Sequence, residues 1–366
     1  MKIAIVHDWL TNMGGAEQVI LNLKEIYKDA PIYTTFYNPE KMDPKFKEYE
    51  IKTSFLQKKK MVTNHKKYFP LMPLAFEKFN MNDYDVVISS TTCCAKGVIT
   101  KPETIHICYC NTPMRYAWEM RDEYTNGMGK LKKKLVEILI HYMRIWDVAS
   151  SNRVDYFIAN STAVKQRIKK HYRRDATVIN PPVRCDKFNI SDIDGDYYFV
   201  ISRLVSYKRF DLAVQACSEL GKKLIVIGDG PEKERLMKLA NSNVIFMGRQ
   251  PDEIVEKYMS ECKALLFPGE EDFGIVPVEA MACGRPVIAY GKGGVLDSVI
   301  PDKTGVFFEE QTVESLKEAI LRFETMNFDK HEIRKHALKF DEKEFRKNIE
   351  EFVKKVSEEN ESSSRR

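Results

Sequence analysis

Ala264-Leu265-Leu266-Phe267-Pro268-Gly269-Glu270-Glu271-Asp272-Phe273-Gly274-Ile275-Val276-Pro277-Val278-Glu279-Ala280-Met281-Ala282-Cys283-Gly284 reads as a strand, a loop and a helix in direct succession. Four apolar residues closed by Pro-Gly make a short strand buried on both faces. Pro277 suits the first turn of a helix, where its missing N–H has no partner to lose, and Gly284 is placed to end that helix. Glu279 then falls in the first turn, and the positive end of the helix points back at the loop that carries Glu271. One carboxylate on the loop and one on the helix can accept hydrogen bonds from two parts of a polyhydroxylated ligand. The competing reading makes Glu279 a helix-terminal charge and Glu271 a surface acid.

The same alternation of short apolar run, turn and helical pattern extends in both directions, as in a parallel sheet with crossover helices. The second half gives strands at Tyr198–Ile201, Leu224–Ile227, Val244–Met247, Ala264–Phe267, Val287–Tyr290 and Val306–Phe308. The first half gives Ile3–Val6, Ile32–Phe36, Val86–Ser89, Ile105–Tyr109, Tyr156–Ala159 and Thr177–Ile179. Between them, Asn180-Pro181-Pro182-Val183 forces extended backbone and reads as a linker. Two doubly wound α/β sheets follow, with ligands expected at the carboxyl ends of their strands and a cleft between the domains. The stretch from Glu314 to Val356 is helical and charged, and the ending Glu359–Arg366 reads as frayed.

At 366 residues and 43% hydrophobic content, the chain can bury more than one core. Its eight cysteines are scattered, and the close pairs Cys93-Cys94 and Cys108-x-Cys110 suit neither zinc nor a redox pair, so packing in a reducing compartment is the expectation. No run approaches the roughly 20 apolar residues of a membrane span, and Met1–Val6 reads as a buried strand, so the expected location is the cytoplasm. A net charge of +5 is too mild to indicate nucleic-acid binding.

Residues just after strands carry the chemistry. Gly14-Gly15 lies between the first strand and the helical pattern Ala16–Ile26, where free N–H groups and the helix dipole favour an anion, though paired glycines are also ordinary turn residues. The spacing is not Gly-x-Gly-x-x-Gly, against a nicotinamide or flavin enzyme. Arg203 and Lys208 follow the Tyr198 strand, and a guanidinium fork plus a point charge suit a diphosphate; the alternative is two solvated cations. Gly228-Asp229-Gly230-Pro231 reads as a tight turn.

Taken together, these residues resemble the retaining glycosyltransferases of family 4, which have the GT-B fold, and the resemblance covers nearly the whole chain. Glu271 and Glu279 match the Glu-x7-Glu signature, Arg203 and Lys208 the Arg-x4-Lys pair, and Gly14-Gly15 the glycine loop; Gly284-Arg285-Pro286-Val287 and Gly293-Gly294 are also similar. The resemblance implies that Arg203 and Lys208 hold the donor diphosphate, Glu279 the ribose, and Glu271 with the backbone of Asp272, Phe273, Gly274 and Ile275 the transferred sugar. It also implies a C-terminal helix that crosses back near Phe340–Phe345. The domains are then 1–183 plus about 340–366 for the acceptor and 184–339 for the nucleotide sugar. The implied chemistry is front-side attack with retention, the cations stabilising the leaving diphosphate, with no Asp-x-Asp metal motif and no cofactor.

His106–Trp118 is similar to the mannosyltransferase subgroup that builds bacterial surface polysaccharide, which points to guanosine diphosphate mannose as donor and a lipid-linked glycan as acceptor. Many such relatives have histidine where this chain has Asn111, a candidate contact near the reacting carbon; asparagine donates a hydrogen bond but carries no proton. Arg115, Tyr116 and Trp118 are candidates for the acceptor mouth or for core. Lys58-Lys59-Lys60, Lys66-Lys67 and Lys130 with Lys132-Lys133-Lys134, interleaved with Leu135, Ile138 and Leu139, suggest an anionic membrane surface at the inner leaflet or else a solvated face. The other functions weighed are a uridine diphosphate sugar transferase, a catalytically impaired sugar-nucleotide-binding protein, an epimerase and a single-strand nucleic-acid binder.

Overall fold

The computed structural model describes residues 1–119 and 128–364, without the side chains of residues 65, 66, 363 and 364. Of the basic clusters, the Lys66 side chain lies outside the described residues, as do Arg365 and Arg366 at the C-terminus. The chain forms two compact units, one of Met1–Pro182 with Phe345–Arg366 and one of Val183–Glu344.

The first unit is built on a seven-stranded parallel sheet of order β3-β2-β1-β4-β5-β6-β7. Its strands are β1 (Ile3–His7), β2 (Ile32–Thr34), β3 (Ile51–Thr53), β4 (Val86–Thr91), β5 (Ile105–Cys110), β6 (Tyr156–Ala159) and β7 (Ala176–Val178). The central strands β4 and β5 are buried along their whole length, as expected of a sheet covered on both faces. Strand β3, absent from the expected set, is an edge strand of three half-buried residues with a single aliphatic side chain, too short for a periodic signal.

The second unit repeats the plan in six parallel strands of order β10-β9-β8-β11-β12-β13. These are β8 (Tyr197–Ile201), β9 (Lys223–Ile227), β10 (Val244–Gly248), β11 (Ala264–Phe267), β12 (Val287–Tyr290) and β13 (Gly305–Phe308). Strand order reverses between β8 and β11, so the loops leaving these two strands diverge there, where open α/β sheets hold their ligands.

The C-terminal helix Glu342–Ser364 extends through most of the ending expected to fray. Phe345, Ile349, Val353 and Val356, spaced three or four apart, form a stripe that enters the first unit's core beside Ile5, Leu10 and Ile20. The Phe345 ring lies edge-on to Tyr109 at 5.7 Å, and Arg346 donates to Asn22 Oδ1 at 2.8 Å. The chain thus returns to the unit in which it began. All eight cysteines are buried free thiols.

Candidate functional site

Close packing of two loops shapes the carboxyl end of the second sheet. Strand β8 ends at Ile201, and Ser202, Arg203 and Leu204 follow. The turn after β9 lies against them: a Cβ on Gly228 would sit 1.9 Å from the Ser202 carbonyl oxygen, and one on Gly230 would sit 2.3 Å from that of Leu204. Gly228 also has φ of 138°. These glycines therefore do more than turn the chain, since no side chain fits where the two loops meet.

Behind these loops is a cavity of about 480 Å³ whose wall includes Arg203, Arg249, Gln250, Lys187, Glu256 and Glu279. Arg203 and Arg249 are exposed, and among the described residues neither guanidinium has a partner. Lys187 is engaged, with Asp252 at 2.6 Å and Glu256 at 3.2 Å. Glu279 is half-buried, and no described side chain donates to its carboxylate. Burial pushes that carboxyl up to about 7, against the opposing pull of Lys187 and Arg184.

Glu279 sits there because of the helix that carries it, Ile275–Ala282. Gly274 starts this helix with φ of 88°, two residues earlier than Pro277 suggests, so Glu279 lies in the second turn rather than the first. Pro277 is third in the helix, still where an N–H has no intrahelical partner. The helix ends in a Schellman arrangement: Arg285 N–H donates to Ala280 O and Gly284 N–H to Met281 O, with Gly284 at φ of 73°.

The loop bearing Glu271 is held from two directions. A Cβ on Gly269 would be 2.9 Å from Lys208 Cα, and one on Gly294 would be 2.2 Å from Asp272 O and from Phe273 Cα. Gly294 N–H donates to Glu271 O at 2.9 Å, and Phe273 is buried against Phe340. Lys208 Nζ donates to Glu271 Oε1 in a partly buried ion pair. The structure thus brings Arg203 and Glu279 to one cavity and joins Lys208 to Glu271, while Phe273, Gly274 and Ile275 lead from the loop into the helix. Sequence reasoning missed Arg249, Gln250, Lys187 and Glu256. Arg249 had a usable signal, since it follows β10 much as Arg203 follows β8.

In the first unit, Gly14 precedes the helix Gly15–Ile26 in extended backbone with φ of −164°, and a Cβ there would meet only the tip of Glu17 at 3.0 Å. Neither backbone geometry nor packing demands a glycine here. His7 Nδ1 lies 3.1 Å from Ser90 O and Nε2 3.4 Å from Glu17 Oε1. Burial disfavours the imidazolium, yet Glu17, Asp8 and the Ser90 carbonyl outweigh it and raise the His7 pKa. Asp8 is buried and accepts from the N–H groups of Thr92, Cys94 and Ala95 at 2.6, 2.8 and 2.7 Å, fixing the loop after β4.

Asn111 is also buried, its amide donating to Ser90 Oγ at 3.0 Å and Thr91 O at 3.4 Å. Both of these bonds use the amide nitrogen, not the carbonyl oxygen. Tyr116 donates to Cys93 Sγ, and Trp118 donates to Asp147 Oδ2 at 2.8 Å while stacking on His171 at 4.4 Å. Of the two readings of these aromatics, core packing accounts for their contacts. Among the described residues, no three His, Cys, Asp or Glu side chains form a metal-ligating group.

Two family models match successive parts of the chain: Glycosyltransferase Family 4 over residues 13–187 and Glycosyl transferases group 1 over residues 186–340. An uncharacterized glycosyltransferase of Methanocaldococcus jannaschii is 31% identical over half of this chain and 52% of its own length. The alpha-1,3/1,6-mannosyltransferase ALG2 of Saccharomyces cerevisiae is 24% identical over 81% of this chain and 71% of its own. A GDP-mannose-dependent phosphatidylinositol monomannoside mannosyltransferase of Mycolicibacterium smegmatis is 30% identical over 33% of this chain and 36% of its own. The chain thus spans about half or less of two of these three relatives. Among solved structures, Anabaena HepE in complex with UDP matches 97% of this chain and all of its own, with a TM-score of 0.71 and 16% identity, a likeness of fold.

Proposed function

From its Family 4 and group 1 glycosyltransferase domains on two Rossmann-like sheets of GT-B type, we propose that this chain is a retaining hexosyltransferase. In this reading it moves mannose from guanosine diphosphate mannose to a lipid-linked glycan acceptor in bacterial surface polysaccharide synthesis. The observation that carries the reading is the second-unit cavity, where two guanidiniums and a carboxylate, each without a partner among the described residues, share one wall. A nucleoside diphosphate needs both: phosphate oxygens accept from Arg203, and ribose hydroxyls donate to Glu279. The mannosyltransferase relatives support the choice of donor sugar, and the name of the mycobacterial relative supports the base.

Lys208 and Arg203 would take up charge as the glycosidic oxygen leaves with the diphosphate, and Glu271 would hold sugar hydroxyls. The acceptor hydroxyl attacks from the face that the leaving oxygen vacates, its proton passing to that phosphate oxygen, so configuration is retained. Asn111 offers a carbonyl to the sugar and no proton. Gly14 and Gly15 would let an anionic group approach the N–H groups at their helix start. With Arg203 and Lys208 supplying the positive charge, the step proceeds without a divalent ion. Loss of activity in a chelator and its return on adding metal would overturn that part.

A thermal-shift screen of nucleotide sugars, followed by transfer assays with Glu271→Ala, tests the whole reading. Guanosine diphosphate mannose should raise the melting temperature most. Transfer should be lost in the variant. A binding protein without catalysis would show the shift and no turnover in the parent.

A further inference from the structure

Helix Lys130–Ser151 has two apolar faces, and the first unit covers one of them. Ile140 and Met143 are buried in a core cluster with Met72, Phe76 and Val98, and Val136, Leu139 and Trp146 pack at its margin. On the opposite side Leu131, Leu135, Ile138, Tyr142 and Ile145 are 76%, 62%, 49%, 65% and 56% exposed. Their spacing of four, three, four and three residues sets all five on a single stripe. Scattered apolar side chains at a surface are ordinary, but five large ones in a row form a patch that a protein seldom leaves to water.

The charges beside the stripe select its occupant. Lys130, Lys132 and Lys134 are exposed in the same half of the helix as Leu131 and Leu135. The acids of the helix are Glu137, half-buried, and Asp147, fully buried. A second copy laid alongside in parallel would set lysines against lysines. Laid antiparallel, it would offer them Tyr142–Ser151, which has no exposed acid. Self-pairing therefore lacks the countercharges that fix a helical seam. An anionic lipid surface supplies both needs, with headgroups for the lysines and an acyl boundary for the stripe. No helix among the described residues is long and apolar enough to cross a membrane, so this one would lie in the plane of the interface.

We propose that helix Lys130–Ser151 is an interfacial helix that rests its Leu131–Ile145 stripe in an anionic lipid layer. This deepens, and for its biological setting rests on, the reading of a lipid-linked acceptor. The apolar residues near Lys132 thus divide by role: Leu139 packs against the core, whereas Leu135 and Ile138 face outward.

The test is sedimentation of the full chain with phosphatidylcholine vesicles, with and without phosphatidylglycerol, for the parent and two variants. One variant carries Leu135→Ser, Ile138→Ser and Tyr142→Ser; the other carries Lys132→Glu and Lys134→Glu. The parent should bind only vesicles containing phosphatidylglycerol, and less so in high salt. Losing two lysine contacts at about 1 kcal/mol each should lower partition roughly 30-fold, and the serine variant should lose binding altogether. Both variants should hydrolyse guanosine diphosphate mannose in lipid-free solution as the parent does, which shows that they fold. Absence of parent binding to anionic vesicles, or parent-like binding by the serine variant, overturns the proposal. So does a concentration-dependent dimer that the serine substitutions abolish. If the parent binds vesicles but neither binds nor hydrolyses any nucleotide sugar, the donor reading falls and the lipid surface stands.

Discussion

Lys208 Nζ is hydrogen-bonded to Glu271 Oε1, so the cation proposed for the donor's diphosphate and the carboxylate proposed for its sugar neutralise each other. The two side chains come from loops 63 residues apart, leaving β8 and β11, the strands that flank the reversal of strand order. A bound donor would divide this pair, its phosphate taking the ammonium and its hydroxyls the carboxylate.

Competition of this kind gives Glu271→Gln opposite effects on binding and on transfer. Without the carboxylate, Lys208 is available to phosphate at no cost in a broken pair. A partly exposed ion pair is worth about 1 kcal/mol at most, so affinity for guanosine diphosphate should rise up to roughly fivefold by calorimetry. Transfer of the sugar should fall by about a hundredfold, since an interaction strengthened in the transition state is lost. Unchanged affinity together with unchanged turnover would show that the pair serves only to fix the loop.

Arg203 and Arg249 make the cavity a test of guanidinium geometry. A charge-assisted hydrogen bond contributes about 1.5–3 kcal/mol, so Arg203→Ala should weaken guanosine diphosphate binding roughly 10- to 100-fold. Arg203→Lys should restore part of this only, because a point charge cannot fork onto two phosphate oxygens. Arg249→Ala should weaken binding as well. Calorimetric values equal to those of the parent would remove that arginine from the donor site.

Glu279 makes both stability and binding depend on pH, in opposite directions. Its carboxyl is pushed by burial up to about 7, above the ordinary glutamate value of about 4.3. Between those values the folded chain holds a proton that the unfolded chain has released. Its stabilising contribution is therefore complete below the unfolded value and is lost as pH rises through about 7. The ionised form is the stronger acceptor for ribose hydroxyls, so guanosine diphosphate should bind more tightly as pH rises from about 6 to 8, by at most about tenfold per unit. Glu279→Gln should flatten both profiles, as followed by thermal unfolding and by calorimetry.

Much of this was legible in the sequence because parallel sheets write themselves as short apolar runs, and every expected strand recurs with its ends shifted by two residues or fewer. What escaped was of two kinds. Strand β3 has one aliphatic residue, and the helix carrying Glu279 starts at a left-handed glycine ahead of its proline, so local pattern was weak or misleading. The Lys208–Glu271 pair, the spent donors of Asn111 and the position of Arg249 depend on contacts between distant loops, which periodicity does not record. The two faces of helix Lys130–Ser151 were merged for the same reason, since both are apolar and only packing tells them apart.

Packing of that helix leads to the last prediction. Lys96, in the turn after β4, and Asp147, on the helix, form an ion pair shielded from water, with side-chain exposures of 1% and 0%. Trp118 Nε1 and Tyr172 Oη donate to the other Asp147 oxygen at 2.8 and 2.9 Å, and Lys96 also donates to Cys93 O at 3.2 Å. Burial disfavours the Lys96 ammonium, but Asp147 overrides it and raises its pKa. Lys96→Met leaves the carboxylate with two neutral donors, and Asp147→Leu leaves a buried cation and two unpaired donors as well. Either change should cost about 3–5 kcal/mol in denaturant unfolding, because an isolated charge is stranded away from water. Lys169 and Asp175 are a suitable control, being 2.7 Å apart but 60% and 89% exposed, and Lys169→Met should barely move the unfolding midpoint. Equal effects at the two sites would mean that water reaches Lys96, and that the helix is held to the sheet by its apolar contacts alone.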